Sequence, residues 1–289
     1  MLASTRLRES LQRGELIVAP GAHDCITARL VEQAGFGAVY MSGLGTAATL
    51  GFPDYGLATM SEFAANAGRI ADAVTVPVIA DADTGFGNEL NVIRTVREYE
   101  SRGVAAIQLE DQVFSKRCGH IDGKQVVSAD EFIAKIRAAT AARRVSDMLV
   151  IARTDAREEH GLDEAIDRLN RAFDAGADIG FIDATPTEEE TARVPKLLAG
   201  PCMFNLVRGG KSPVFGLDEL RKLGYAMVIL PGLLLSEMVG SCENVLAKLS
   251  LSKELPVTTK DFALPDLFSR FGTDAWDRLR RQFSQPPST

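Results

Sequence analysis

Eight short runs of apolar and β-branched residues recur along the chain, at 16–20, 38–42, 76–83, 106–111, 149–155, 179–184, 203–207 and 226–231. Within most of them the apolar residues are near-continuous and do not alternate with polar ones. A strand with water on one face alternates; near-continuous runs mark strands buried on both faces, as in a parallel sheet. Stretches with helical spacing lie between and after them, at 23–35, 61–74, 88–102, 129–143, 162–175, 187–199, 217–223 and 233–249. Ser61 and Asp130 stand where start signals of two of these are expected. A strand followed by a helix, eight times in order, predicts a (β/α)8 barrel of the α/β class over residues 1–250. An open doubly wound sheet is the other architecture such a pattern allows, and eight units without a break in composition favour closure.

Residues 251–289 read as a helical extension for oligomerisation. A proline-punctuated link (255–257) leads to a stretch at 262–283 that carries Phe262, Leu264, Leu267, Phe268, Phe271, Trp276, Leu279 and Phe283. A barrel complete at its eighth strand has no obvious internal place for them, and left bare they would form a patch larger than monomers usually tolerate. The final QPPST is expected to be disordered.

Composition narrows the function classes. The chain has 289 residues, 46% hydrophobic and 25% charged, as an ordinary globular protein does. A net charge of −7 argues against a nucleic-acid surface, although a bound cation and a few arginines still allow an anionic substrate. The N-terminus is too charged for a signal peptide, and the apolar runs are too short to span a membrane. Four widely spaced cysteines, Cys25, Cys118, Cys202 and Cys242, suit a reducing compartment, and the protein reads as cytoplasmic.

Polar residues gather at the predicted C-terminal strand ends, where barrels carry their chemistry. They are Tyr40 and Ser42, Asp81 and Asp83, Glu110 and Asp111, Arg153 and Asp155, then Asp183 and Asn205. Asp81 and Asp83, two apart on a strand, point to the same side. With Glu110 and Asp54 they form an all-oxygen set that suits Mg2+ or Mn2+. The other reading of such acids is helix capping. Three scattered histidines, His23, His120 and His160, make zinc unlikely. In SKRCGHIDGK (115–124), Cys118 sits among Lys116, Arg117 and His120, a setting that lowers a thiol pKa; an incidental cysteine in a solvated basic loop is the alternative. Arg153 either clamps a substrate carboxylate or forms a structural salt bridge, for instance to Asp183. GLGTAA (43–48) matches a dinucleotide fingerprint, but Gly51, Pro53 and Gly56 follow where a helix is required. RGGKS (208–212) lies where many barrels bind phosphate, and reads equally as a mobile loop.

KRCGH (116–120) resembles the active-site loop of the carbon–carbon lyases in the isocitrate lyase/phosphoenolpyruvate mutase superfamily. YMSG (40–43), LGFPD (50–54), DADTGFGN (81–88), QLEDQ (108–112), ARTDA (152–156), the Asn205 segment and GGKSP (209–213) are similar to family segments, in family order. The likeness, nearest to the 2-methylisocitrate and 2,3-dimethylmalate lyase branch, implies that Asp83 ligates Mg2+ while Asp54, Asp81 and Glu110 hold its waters. It implies that Tyr40, Ser42, Gly43 and Leu44 bind the 2-oxo or 2-hydroxy acid end. Arg153 would clamp one carboxylate, Asn205, His120 and Gly119 the other, and Cys118 would be the general acid. Two departures bear on the substrate: Asp183 stands where relatives usually have a glutamate, and Arg208 where an acid is common. The likeness also implies a homotetramer, a dimer of dimers with C-terminal helices exchanged between subunits.

The implied reaction cleaves the C2–C3 bond of a small 2-hydroxy dicarboxylate or tricarboxylate into a 2-oxo acid and a carboxylic acid. Mg2+ stabilises the developing charge, Tyr40 or a metal-held water acts as base, and Cys118 protonates the departing fragment. Three alternatives stay open: an oxaloacetate hydrolase or decarboxylase on nearly the same site, a nicotinamide-dependent oxidoreductase built on GLGTAA, and a non-catalytic metabolite-binding barrel.

Overall fold

A computed structural model describes residues 1–258 and 260–284; the QPPST expectation (285–289) lies outside the described residues. Eight parallel strands are present: β1 (Ile17–Ala22), β2 (Val39–Met41), β3 (Val78–Asp81), β4 (Ala106–Glu110), β5 (Leu149–Thr154), β6 (Ile179–Ile182), β7 (Met203–Asn205) and β8 (Met227–Leu230). Neighbours pair in the order β6-β5-β4-β3-β2-β1-β8-β7, and a parallel bridge between Gly180 and Cys202 joins the two ends. The sheet is therefore a nearly closed barrel, as the eight apolar runs predict.

The apolar residues divide into two layers. Inside the barrel, Ile79, Leu149, Ile151, Phe181, Met203 and Ile229 pack together. Between strands and helices a second core gathers Phe63, Ile70, Tyr99, Phe132, Ile136 and Leu169. Both faces of each strand are thus apolar, which is why the runs do not alternate.

The helices of the barrel unit are α1 (Ala3–Gln12), α2 (Cys25–Gln33), α3 (Gly43–Thr49), α4 (Met60–Ala73), α5 (Glu89–Ser101), α6 (Ala129–Ala142), α7 (Arg157–His160), α8 (Leu162–Asp174), α9 (Glu188–Leu197) and α10 (Leu217–Leu223). Helix α1 was not expected; its charged sequence hides one apolar anchor, Leu7, which is buried with the barrel interior. Two start signals also lie earlier than Ser61 and Asp130. Thr59 caps α4 and Ser128 caps α6, each accepting a backbone N–H from three residues on.

The chain forms two compact units, Met1–Ser236 and Glu237–Thr289. The division falls within α11 (Leu233–Ser252), which is followed by α12 (Leu264–Arg270) and α13 (Thr273–Ser284). None of these three helices has a buried residue, and Trp276 (71% exposed) and Phe283 (78%) are the barest of the apolar side chains on α13. No helix among the described residues is long and apolar enough to cross a membrane.

Candidate active site

The C-terminal strand ends and the loops after them enclose a cavity of about 150 Å3. Sites for drug-sized ligands run to roughly 300–1,000 Å3, so this one suits a molecule of few carbons. Tyr40, Ser42, Leu44, Asp54 and Asp81 are among its lining residues, as are Cys118, Gly119, His120, Arg153, Asp183 and Asn205. Gly43, Asp83 and Glu110 are buried behind that lining. A larger cavity, about 640 Å3, lies around α1 and the start of β1, and it gathers none of the predicted site residues.

The acid set is built where β3 ends. Asp81 Oδ1 accepts the Asp83 N–H at 3.0 Å, and Tyr99 on α5 holds the Asp81 carbonyl with its hydroxyl at 3.1 Å. The chain turns sharply there, with Asp83 at φ +46°, a region aspartate tolerates better than most residues. Lys116, only 3% exposed, places Nζ 2.5 Å from Asp54 Oδ1 and 3.0 Å from Asp83 Oδ1. Sequence reading counted this lysine only as background charge near Cys118; the structure makes it the counter-ion of the acid set. Burial pushes Asp83 up to about 7 despite Lys116, with Asp81 and Asp54 adding to the rise. Burial also raises Glu110 well above its ordinary value, against the pull of Arg153, and neither Glu110 oxygen has a hydrogen bond.

Arg153, at the end of β5, is wholly engaged. It grips Asp155 with Nε at 2.9 Å and Nη2 at 3.0 Å, Asp183 with Nη2 at 2.7 Å, and has Glu110 Oε2 3.3 Å from Nη1. Burial acts to raise Asp183, yet Arg153, His120 and Lys124 outweigh it and hold that carboxyl below its usual range. The salt-bridge alternative for Arg153 is therefore present in full.

Gly119 closes over this pair. A Cβ there would lie 1.7 Å from Asp183 Oδ2 and 2.3 Å from Arg153 Nη2. Both atoms belong to a buried ion network and cannot easily yield. Gly119→Ala is expected to fold with a near-native melting temperature, because the residue is on a loop, yet to hold that loop off the cavity. Displacement of about 1 Å can cost 10²-fold in rate, so kcat should fall by about that factor. Thermal melts and steady-state kinetics together check it; native turnover would show that the loop need not seat there.

The loop around Cys118 corrects an expectation. The thiol is not lowered. Burial pushes it above its ordinary value; a backbone hydrogen bond from His120 opposes the rise and Asp54 and Asp183 add to it. Its basic neighbours in sequence are turned elsewhere: Lys116 to the acid set, Arg117 to solvent. His120, lowered below its usual value chiefly by burial, lies 3.6 Å from Asp183 Oδ1 and 3.1 Å from Asn205 Nδ2 through Nε2. Its Nδ1 accepts the Lys211 N–H at 2.9 Å. Lys211 Nζ bridges Asp122 at 2.6 Å and Glu158 at 3.0 Å, while Lys124 donates to the Gly119 carbonyl and pairs with Glu158 at 2.9 Å. The RGGKS segment thus clasps the Cys118 loop, with Lys211 already taken by carboxylates.

Tyr40 keeps its proton. Burial, with Asp81 beside it, raises the phenol well above its ordinary value, and its hydroxyl lies 3.2 Å from Gln108 Oε1 as a donor. This favours a metal-held water over Tyr40 as the base. Ser42 caps α3 through the Gly45 N–H at 3.2 Å, so GLGTAA does open a helix, but one of seven residues. A Cβ on Gly43 would meet Asp81 Oδ2 at 2.4 Å, so no side chain fits at the start of α3.

The family model of phosphoenolpyruvate phosphomutase matches residues 7–250. The chain belongs to the phosphoenolpyruvate mutase/isocitrate lyase superfamily. It is 50% identical over 232 residues, 80% of each chain, to 2,3-dimethylmalate lyase of Eubacterium barkeri. It is 43% identical over 243 residues to 2-methylisocitrate lyase of Aeropyrum pernix, covering 84% of this chain and 78% of that one. Among solved structures, oxaloacetate acetylhydrolase with 3,3-difluorooxalacetate superposes with a TM-score of 0.94 at 36% identity, covering 99% of both chains. Phosphonopyruvate hydrolase with oxalate and Mg2+ gives 0.90 at 32% identity, over 99% of this chain and 100% of that one. The superfamily and the barrel expected from the sequence are both present.

Proposed function

We propose that the protein is a Mg2+-dependent lyase that cleaves the C2–C3 bond of a small 2-hydroxy dicarboxylate or tricarboxylate, of the 2,3-dimethylmalate or 2-methylisocitrate type. The observation that carries this is one small cavity that brings a thiol holding its proton beside a buried carboxylate set.

The residues fit a divalent cation. Asp54, Asp81, Asp83 and Glu110 offer hard oxygens, and both Glu110 oxygens lack hydrogen-bond partners. Lys116 already puts one positive charge against Asp54 and Asp83. Such hard oxygens suit Mg2+, which is usually held by one or two carboxylates with waters completing its shell. When bound, the ion would supply positive charge to the 2-oxygen and the adjacent carboxylate as the bond breaks.

The chain's own residues do the rest. Tyr40 stands at the oxygen end with its proton directed to Gln108, and removal of the hydroxyl proton falls to a water held by the acid set. Ser42, Gly43 and Leu44 present the start of α3 to that same end. Asn205, His120 and Gly119 hold the far carboxylate over the Arg153–Asp183 pair. Cys118 gives its proton to the departing carbanion.

A panel of 2-hydroxy diacids assayed for 2-oxo acid release with Mg2+ tests this, and no release from any member would end it. Oxaloacetate belongs in the panel, because the likeness to oxaloacetate acetylhydrolase supports a hydrolase as the second reading. Four free cysteines suit the cytoplasm as its place.

The bare apolar side chains of α12 and α13 support a homotetramer, a dimer of dimers in which this tail packs on a neighbouring subunit. Truncation before Phe262 should then break the oligomer and lower the melting temperature, since association and folding are linked. Sedimentation of the full-length protein as a monomer at micromolar concentration would count against it.

A further inference from the structure

The loop that carries Cys118 is tied down on both sides of the thiol. Lys116 is fixed by Asp54 and Asp83, and Gly119 sits against Asp183 and Arg153 with its carbonyl accepting from Lys124. Between them the backbone of Arg117 is held by the side chain of Gln112. Gln112 Oε1 accepts the Arg117 N–H at 2.9 Å, and Gln112 Nε2 donates to the Arg117 carbonyl at 2.9 Å. Only one orientation of the amide satisfies both bonds, and the pair works like one rung of an antiparallel ladder. Gln112 is 1% exposed, whereas the Arg117 it holds is exposed. The clamp also has a firm base. Gln112 lies two residues past β4, and its backbone bridges Val126 in antiparallel fashion. The Val113 N–H donates to the Gln125 carbonyl and the Val127 N–H to the Asp111 carbonyl, each at 2.8 Å. Backbone bonds thus close the neck of the loop, and the Gln112 side chain reaches from that neck across to residue 117.

We infer that Gln112 is the positioning residue for the thiol: it fixes the peptide plane that leads into Cys118 and so holds that side chain at the cavity wall. The inference rests on the lyase reading for what the thiol does, but not for the clamp itself. The geometry follows from the planar peptide. The carbonyl that Gln112 holds belongs to the link between Arg117 and Cys118, so fixing it also fixes the Cys118 N and Cα. On the other side the Cys118 carbonyl accepts the Ile121 N–H at 2.9 Å, and Gly119 is seated. Little beyond rotation of the Cys118 side chain is left free, which suits a proton donor that must stand within about 3 Å of its acceptor. A primary amide is the group this clamp needs, because it sets a donor and an acceptor side by side in one plane. A carboxylate there would face the Arg117 carbonyl with a second acceptor, and asparagine would be one methylene short. The neck of the loop closes without the amide, so loss of the amide falls on the thiol and not on the fold.

The test compares full-length wild type with Gln112→Met, which keeps the reach of the side chain and loses both bonds, and with Gln112→Glu, which keeps the acceptor and loses the donor. Cys118→Ser serves as the reference for loss of the thiol. Two readouts are needed. One is kcat and KM for the best 2-hydroxy diacid of the panel. The other is the rate of alkylation by iodoacetamide at Cys118, followed peptide by peptide so that Cys25, Cys202 and Cys242 act as internal references. A displacement of about 1 Å can cost 10²-fold in rate, so kcat should fall by about that factor in both variants while KM changes little. Loss of two hydrogen bonds should speed alkylation of Cys118 on the order of tenfold, with the other three cysteines at their wild-type rates. All four cysteines reacting faster together in both variants overturns the inference, since that marks a defect of the whole fold. So does native kcat in Gln112→Met where Cys118→Ser is slow. If the wild type turns over no diacid, or Cys118→Ser is as fast as wild type, the lyase reading fails by itself. Gln112 is then still judged by alkylation: faster at Cys118 alone supports the clamp, and an unchanged rate removes it.

Discussion

Cys118→Ser is expected to fold normally, bind a product-like diacid and lose about 10²–10⁴-fold in turnover. The cause is acidity. A fragment that leaves as a carbanion must be given a proton, and a serine hydroxyl in the same place is a far weaker acid than a thiol. The environment of Cys118 suits that role and not nucleophilic attack. Burial raises its pKa, so the proton stays on sulfur at neutral pH. The direction also sets the alkaline limb of the rate profile. An ordinary thiol is half ionised at about pH 8.5; the raised group is still mostly protonated there, so wild-type turnover should persist through that pH and fall only above it. Near-native rates in Cys118→Ser would remove the thiol from the mechanism, and a wild-type limb falling well below pH 8 would contradict the raised pKa.

Chelation of divalent cations should abolish turnover, and Mg2+ or Mn2+ should restore it. The expectation follows from charge. Asp54, Asp81, Asp83 and Glu110 face Lys116, and Arg153 is shared with Asp155 and Asp183. The carboxylates outnumber these cations, and burial first, with like charges beside it, pushes such groups toward the protonated form; Asp83 is raised to about 7 chiefly by burial, with Asp81 and Asp54 adding to it. A divalent ion relieves this. A melting curve gives a second measurement: an ion that binds only the folded protein stabilises it by about 2.7 kcal/mol at one hundred times its Kd. Asp83→Ala should lose both the restored turnover and most of that stabilisation. Full activity in excess chelator would dismiss the metal.

The fold and the positions of the site residues were legible for a common reason. Strands buried on both faces, such as β5, leave near-continuous apolar runs, and an ionisable residue at the end of such a run, such as Arg153, has no reason to be there except the barrel mouth. Pairing was not legible. Sequence gives the sign of a charge and not its partner, and at this mouth the partners arrive on loops from other strands. Lys116 was assigned to its neighbour Cys118 when its charge belongs to Asp54 and Asp83. The pKa of Cys118 was misjudged with it, because residues adjacent along the chain were taken as adjacent in space. Helix α1 was missed because its single buried anchor, Leu7, is too little apolar signal to mark a helix.

The seat beneath Gly119 has a consequence for how defects in this protein will be misread. The tip of the strand-four loop rests on Asp183 Oδ2 and Arg153 Nη2 with no room for one more carbon. Those two atoms come from strand five and from the residue just after strand six, so the loop's resting place is a casting taken from elsewhere in the chain. Lengthening Asp183 to glutamate would move the mould and leave the cast unchanged. A screen for slow variants would then return substitutions just after strand six whose fault, followed by labelling or proteolysis, shows at residues 115–124, some sixty positions upstream.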